Sequence, residues 1–123
     1  MIRNSSKLLV NESLLTFQPT LAAKIGLNEA IMLQQIQYWI KHPKAIEKEG
    51  RRWHYDTYGS WQIQFPFWSI ITIKRISKSL RNMKVVIAKP MSSNKSDQTL
   101  WYTIDYDELY KIELNVICVK VCE

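Results

Sequence analysis

The chain has 123 residues, 46% of them apolar and 11% aromatic, and 17 Lys or Arg outweigh 11 Asp or Glu to give a net charge of +6. This length closes one hydrophobic core and is short for two, so a single domain is expected. Two Cys and three Gly exclude a disulfide framework and a glycine-rich phosphate loop, no 18-residue apolar run exists for a membrane span, and the positive excess favours an anionic partner.

The opening MIRNSSKLLVNES has a positive residue but no apolar stretch of signal-peptide length, which predicts a cytoplasmic protein. Residues 8–10 form a short apolar run. Gln18-Pro19 opens a first helix of about two turns with Pro in its first turn, closed by Gly26 as a left-handed cap. Asn28 can cap a second helix, whose apolar positions Ile31, Met32, Ile36, Trp39 and Ile40 recur every three or four residues until Pro43 stops it. Residues 44–51 are charged, contain Gly50 and read as an exposed loop. Trp53 and Tyr55 then alternate with Arg52, His54 and Asp56 as on a half-buried strand.

Residues 57–65 have helix spacing at Tyr58, Trp61 and Phe65, and Pro66 forbids continuation. Ser69 can cap a further helix from 70 to about 84, giving helix, tight turn, helix. On a wheel of about 100° per residue, Ile73, Ile76, Leu80 and Met83 share one side, whereas Lys74, Arg75, Lys78 and Asn82 lie opposite. Residues 85–87, a polar tip over 89–99 and Leu100–Ile104 read as a β-hairpin. A hairpin directly behind such a helix is a wing, so the expected fold is α+β, mainly helical: a winged helix-turn-helix. Asp105 and Glu108, spaced as a capping box, start a last short helix through Tyr110. Acidic residues at a helix N-terminus are expected from its dipole and need no metal or acid/base role. The tail from Ile112 to Val121 alternates apolar residues and could add an edge strand or pair with another chain.

Between Thr57 and Ser96 stand Lys74, Arg75, Lys78, Arg81, Lys84, Lys89 and Lys95, without a single Asp or Glu. This is the electrostatic footprint of a helix offered to a polyanion, and duplex DNA is the expected partner. In the major groove Lys74, Arg75 and Lys78 would face base edges and phosphates, with Arg75 best shaped to grip guanine O6 and N7. Ser69 and Thr72 at the helix N-terminus would hold phosphate. Lys89, Asn94 and Lys95 on the wing, with Arg81 and Lys84, would add backbone contacts and hence affinity more than specificity. Trp39, Trp61 and Trp101 occupy apolar positions and are expected in the core, and Trp68 between the two helices. His42 and His54 stand apart from any nucleophile, and Cys118 and Cys122 supply too few soft ligands for zinc. No catalytic site, metal or cofactor is expected.

The segments LLVNESLLTF, LAAKIGLNEAIMLQQIQYWI, RWHYDTYGSWQIQFPFWSIITIKRISKSL and LWYTIDYDEL, in this order, resemble the N-terminal winged-helix domain of replication initiation proteins, or replisome organisers, of phages and plasmids of low-GC Gram-positive bacteria. The specific parts are IGLNEAI at Ile25 to Ile31, WQIQFPFWS at Trp61 to Ser69, TIKR at Thr72 to Arg75 and WYTIDY at Trp101 to Tyr106. The resemblance implies a DNA-binding domain over residues 1–110 that recognises origin DNA, followed by a divergent tail over 111–123. The family places a Gly where the recognition helix turns into the wing; Asn82-Met83-Lys84-Val85 has none, which implies an altered wing. Relatives continue past WYTIDY into a region that engages helicase-loading machinery. KIELNVICVKVCE does not match it, so occupation of a DNA site without loader recruitment is expected. The competing reading is a phage transcriptional autoregulator or an anti-CRISPR inhibitor of host defence, whose partner would be a promoter or a defence nuclease in place of a helicase loader. The apolar second helix and the tail both offer surfaces for a homodimer.

Overall fold

The computed structural model describes residues 14–91 and 96–113. Asn94 and Lys95 at the expected wing tip, the run at 8–10, both Cys, and the expected tail strand from Leu114 onward lie outside the described residues. The order is α1 (Pro19–Ile25), α2 (Leu27–Ile40), β1 (Ile46–Lys48), β2 (Arg51–Asp56), α3 (Tyr58–Gln64), α4 (Ile70–Asn82), β3 (Val86–Lys89) and β4 (Leu100–Ile104). Residues 106–113 form a further helix, α5. The four strands make one antiparallel sheet in the order β1-β2-β4-β3. The fold is therefore α+β. No helix among the described residues is long and apolar enough to cross a membrane.

Gly26 ends α1 and starts α2 in one step. Its φ of +108° and ψ of 147° lie outside the left-handed helical cap expected from sequence, in a region that only Gly adopts without strain. A Cβ there would run into the Glu29 carboxylate. Asn28 is accordingly not the cap: α2 begins before it, with Gly26 in the N-cap position. From α2, Ala30, Met32, Leu33, Ile36 and Ile40 enter the core, where they join Trp61, Phe65, Trp68, Ile73, Ile76, Leu80, Val85, Val86, Tyr102 and Ile104.

The loop expected over 44–51 contains the strand β1. All three of its residues are exposed, so it carries no hydrophobic alternation to read. It exists because Glu49 (φ +56°) and Gly50 (φ +73°) make a two-residue turn with both centres at positive φ, the twist that suits a tight antiparallel hairpin. Its pairing runs from Ile46 opposite Trp53 to Lys48 opposite Arg51. Strand β2 is present as expected, with Trp53 its most buried residue. Register with β4 puts His54 beside Tyr102 and Tyr55 beside Trp101. His54 thus shares the face of Tyr102, Ile104 and Val86 that meets the helices, while Trp53, Tyr55, Trp101 and Thr103 are on the outer face. Trp101 is therefore not a core residue; it is half-buried against Tyr55, with ring centroids 5.3 Å apart. Trp53 is buried on the outer face because the hairpin curls over it. Its Nε1 donates to Lys48 O at 2.9 Å, the Lys89 ammonium lies 5.4 Å from its ring centroid, and Lys89 is ion-paired to Glu49 at 3.1 Å.

A polar layer fastens α3 to α2 and β2. The Gln64 Oε1 accepts from Trp39 Nε1 (2.7 Å) and Gln35 Nε2 (2.9 Å), and Gln64 Nε2 donates to Asp56 Oδ2 (3.1 Å). The same Asp56 oxygen lies 3.0 Å from His54 Nε2, and Asp56 Oδ1 accepts from the Thr57 N–H at 3.1 Å. His54 is further stacked on Trp39 at 5.2 Å and meets the edge of Trp61 at 5.4 Å. A polar group at this depth costs little only when its partners are present, and here every polar atom of the Gln64 amide group has at least one.

At the far end, Asp105 caps α5 by accepting from the N–H groups of Asp107 and Glu108 at 3.1 and 3.2 Å. Glu108 does not reach back as a full capping box would have it; it pairs with Lys111 at 3.1 Å. Ile112, expected to begin an edge strand, is helical and packed against the core.

The Tyr102 hydroxyl is buried with Trp61 and Ser77 beside it, none of the three polar atoms reaching hydrogen-bond geometry. Burial above all, then Tyr58, pushes the phenol well above its ordinary range; Trp61, Ser77 and Arg81 offset part of this. An unfolded chain releases that proton at about pH 10, where the folded chain still holds it, so the unfolded state binds fewer protons and stability falls as pH rises further. Tyr102→Phe should remove this loss and retain structure to higher pH than the natural chain, with neutral-pH stability equal or greater because an unpaired hydroxyl leaves the core. Alkaline unfolding followed by circular dichroism checks it; coincident alkaline transitions would refute it.

Candidate nucleic-acid interface

The basic helix is held by its own sequence at both ends. The Ser69 hydroxyl oxygen accepts from the Thr72 N–H at 3.1 Å and its proton goes to Thr72 Oγ1 at 3.0 Å. The N-cap expected at Ser69 is thus present, and its hydroxyl is engaged in capping. A phosphate at this end would meet the free N–H groups of the first turn and the Thr72 hydroxyl. The turn before it is closed by Phe65 and Trp68, whose rings lie 4.7 Å apart, and by the Trp68 N–H donating to Phe65 O at 3.0 Å. Trp68 is buried between the helices as expected. Thr57 caps α3 in the same way, accepting from the Ser60 N–H at 3.1 Å.

Along α4 the wheel reading holds. Ile73, Ile76, Ser77 and Leu80 are buried, and Lys74, Arg75, Lys78 and Asn82 are exposed. The Lys74 ammonium lies 5.4 Å from the ring centroid of Tyr58 on α3, which steadies its stem. Arg81 is half-buried and its Nε reaches back to Ser77 O at 3.4 Å. Among the described residues the ion pairs are Arg52–Glu47, Lys89–Glu49 and Lys111–Glu108, with the further contact His54–Asp56 at 3.0 Å, and none of them lies on α4. The exposed α4 face keeps its positive potential uncompensated by any such pair.

Lys84 sits just past the helix with φ +66°. The position where the sequence lacks a Gly is therefore left-handed all the same, and a Lys accepts the strain, which for an L-residue is about 1 to 2 kcal/mol. Its N–H donates to Arg81 O at 3.0 Å and its side chain is exposed. Lys84→Gly should stabilise the fold by about 0.5 to 1 kcal/mol, the relief being partly offset by glycine's larger unfolded entropy. Urea unfolding measures this; a loss of stability would refute the strain.

The expected site residues do not all face one way. Ser69, Thr72, Lys74, Arg75 and Lys78 share one helix, and Arg81 and Lys84 flank its end. Lys89, by contrast, lies on the outer face of the sheet, and its ammonium is held by Glu49 and Trp53. Ile71, which is 80% exposed, is not among the residues expected from sequence. At about 160° from Ile73 on the wheel it falls inside the arc of Lys74, Lys78 and Arg75, so the signal was available.

No family model, curated protein or solved structure matches the chain.

Proposed function

We propose that the chain is a winged-helix protein that binds duplex DNA, with α4 as the recognition helix and the β3–β4 hairpin as the wing. The observation that carries this reading is the exposed face of Lys74, Arg75 and Lys78, without a carboxylate ion pair among the described residues, on a capped helix that follows α3 through a five-residue turn. The order and spacing of the elements support it further. The helix that α4 packs on, α2, and the strand β2, which pairs with β4, precede α3 in the chain. This order is compatible with a winged helix-turn-helix, in which the second helix of the pair enters the major groove. The cations lie at i, i+1 and i+4, a spacing that lets Arg75 face a guanine while Lys74 and Lys78 hold phosphates on its flanks.

On this reading Ser69 and Thr72 bring the helix N-terminus to a phosphate, Arg81 and Lys84 add contacts at its end, and the wing, with Lys89, Asn94 and Lys95, reaches the backbone beside the groove. Lys89 must leave Glu49 to do so, and its net contribution is correspondingly small. The sequence resemblance extends the proposal to origin-like DNA and to a kinship with phage replication initiators. Titration of labelled duplexes by fluorescence anisotropy tests it: binding should weaken on a log-log plot with salt by about 0.9 for each phosphate contact. Failure to bind any duplex at about 50 mM salt, where phosphate contacts are strong, would overturn it.

A further inference from the structure

We infer that Ile71 reads the C5-methyl group of a thymine, so that the preferred site contains a T within about two base pairs of the guanine gripped by Arg75. This inference rests on the duplex-DNA reading of α4. A single exposed apolar side chain is ordinary on a protein surface. Ile71 is distinguished by where it stands: it is 80% exposed, in the first turn of α4, on the same arc as Lys74, Arg75 and Lys78. Phe67, in the turn that leads directly into α4, is also exposed, at 60%.

A ligand for this face must offer negative charge to the cations and an apolar group to Ile71 within one helical turn of them. The major groove of duplex DNA meets both demands. Its phosphates flank the groove, and the one apolar group among the base edges exposed there is the thymine methyl. Ile71 and Arg75 are one turn apart, about 6 Å along the axis at 1.5 Å per residue. Base pairs rise by about 3.4 Å, which places the two bases one or two steps from each other. Burying a methyl group against Ile71 is worth about 0.8 kcal/mol, or roughly fourfold in affinity.

The experiment is a chemical double-mutant cycle. The full chain is used to select a preferred duplex from a random library, and each thymine of that duplex is then replaced singly by deoxyuridine, which differs by the methyl alone. One replacement, within about two base pairs of a guanine, should weaken binding of the natural chain about fourfold and leave binding of Ile71→Ala unchanged. Ile71 is exposed, so the variant folds, and its circular dichroism should match. The inference is overturned if every deoxyuridine duplex binds like its thymine parent, or if Ile71→Ala shows the same loss at the same position. Absence of binding to any duplex overturns the DNA reading itself and this inference with it. Binding to duplexes with no thymine dependence leaves the DNA reading standing and removes only the inference.

Discussion

Replacing Lys74, Arg75 and Lys78 together by Ala should leave the fold standing and reduce duplex affinity by at least about a hundredfold at low salt. All three are exposed, Ala is a strong helix former, and none is in an ion pair among the described residues. Lys74 gives up its place over the Tyr58 ring, an exposed cation–π approach that is weak in water. Arg75 alone carries about 1 to 3 kcal/mol on a preferred site if it holds guanine by both nitrogens. Each lysine that neutralises a phosphate adds its share of counterion release, so the slope of log affinity against log salt should become shallower by about 0.9 per lysine. The single variants divide the roles. Arg75→Ala should relax sequence preference, whereas Lys74→Ala and Lys78→Ala should weaken preferred and random duplexes alike. Anisotropy titrations over a salt series read all of this. Equal loss of preference from each of the three would refute the division, and full affinity of the triple variant would remove α4 from the interface.

Trp61→Ala should cost about 3 to 5 kcal/mol, a large part of the roughly 5 to 15 kcal/mol that holds a domain folded. Trp61 is 0% exposed and stands at the junction of three elements. Its ring is stacked 5.8 Å from Phe65 and meets Tyr102 of β4 edge-on at 5.5 Å and His54 of β2 at 5.4 Å. Truncation leaves a cavity between α3 and the sheet that backbone closure cannot fill without moving α3, and with it the turn that aims α4. The loss should therefore appear twice, as a lower urea midpoint and as weaker duplex binding under conditions where the variant is still folded. A destabilisation below about 0.5 kcal/mol, the scale of a surface change, would show that Trp61 is not central to the core.

The sequence by itself determined α3 and α4 and the polarity of α4. Ser69 and Thr57 can cap because their hydroxyls need only the N–H three residues on, Pro66 ends α3 whatever surrounds it, and the periodicity of Ile73, Ile76 and Leu80 assigns a buried side that the core then uses. These are local rules, satisfied within one turn of chain. What the tertiary structure decided is non-local. Which face of β2 meets the helices is not legible in the alternation, because Trp53 and His54 both find burial, one under the curled hairpin and the other against α2 and α3. Strand β1 left no hydrophobic signal because backbone pairing and polar contacts of Glu47 and Lys48 hold it, and the Lys89 ammonium is held on the outer face of the sheet by Glu49, forty residues earlier in the chain. The Gln35–Gln64–Asp56 layer depends on three elements arriving together, and a hydrogen bond between distant side chains leaves no period or spacing in the chain that could announce it.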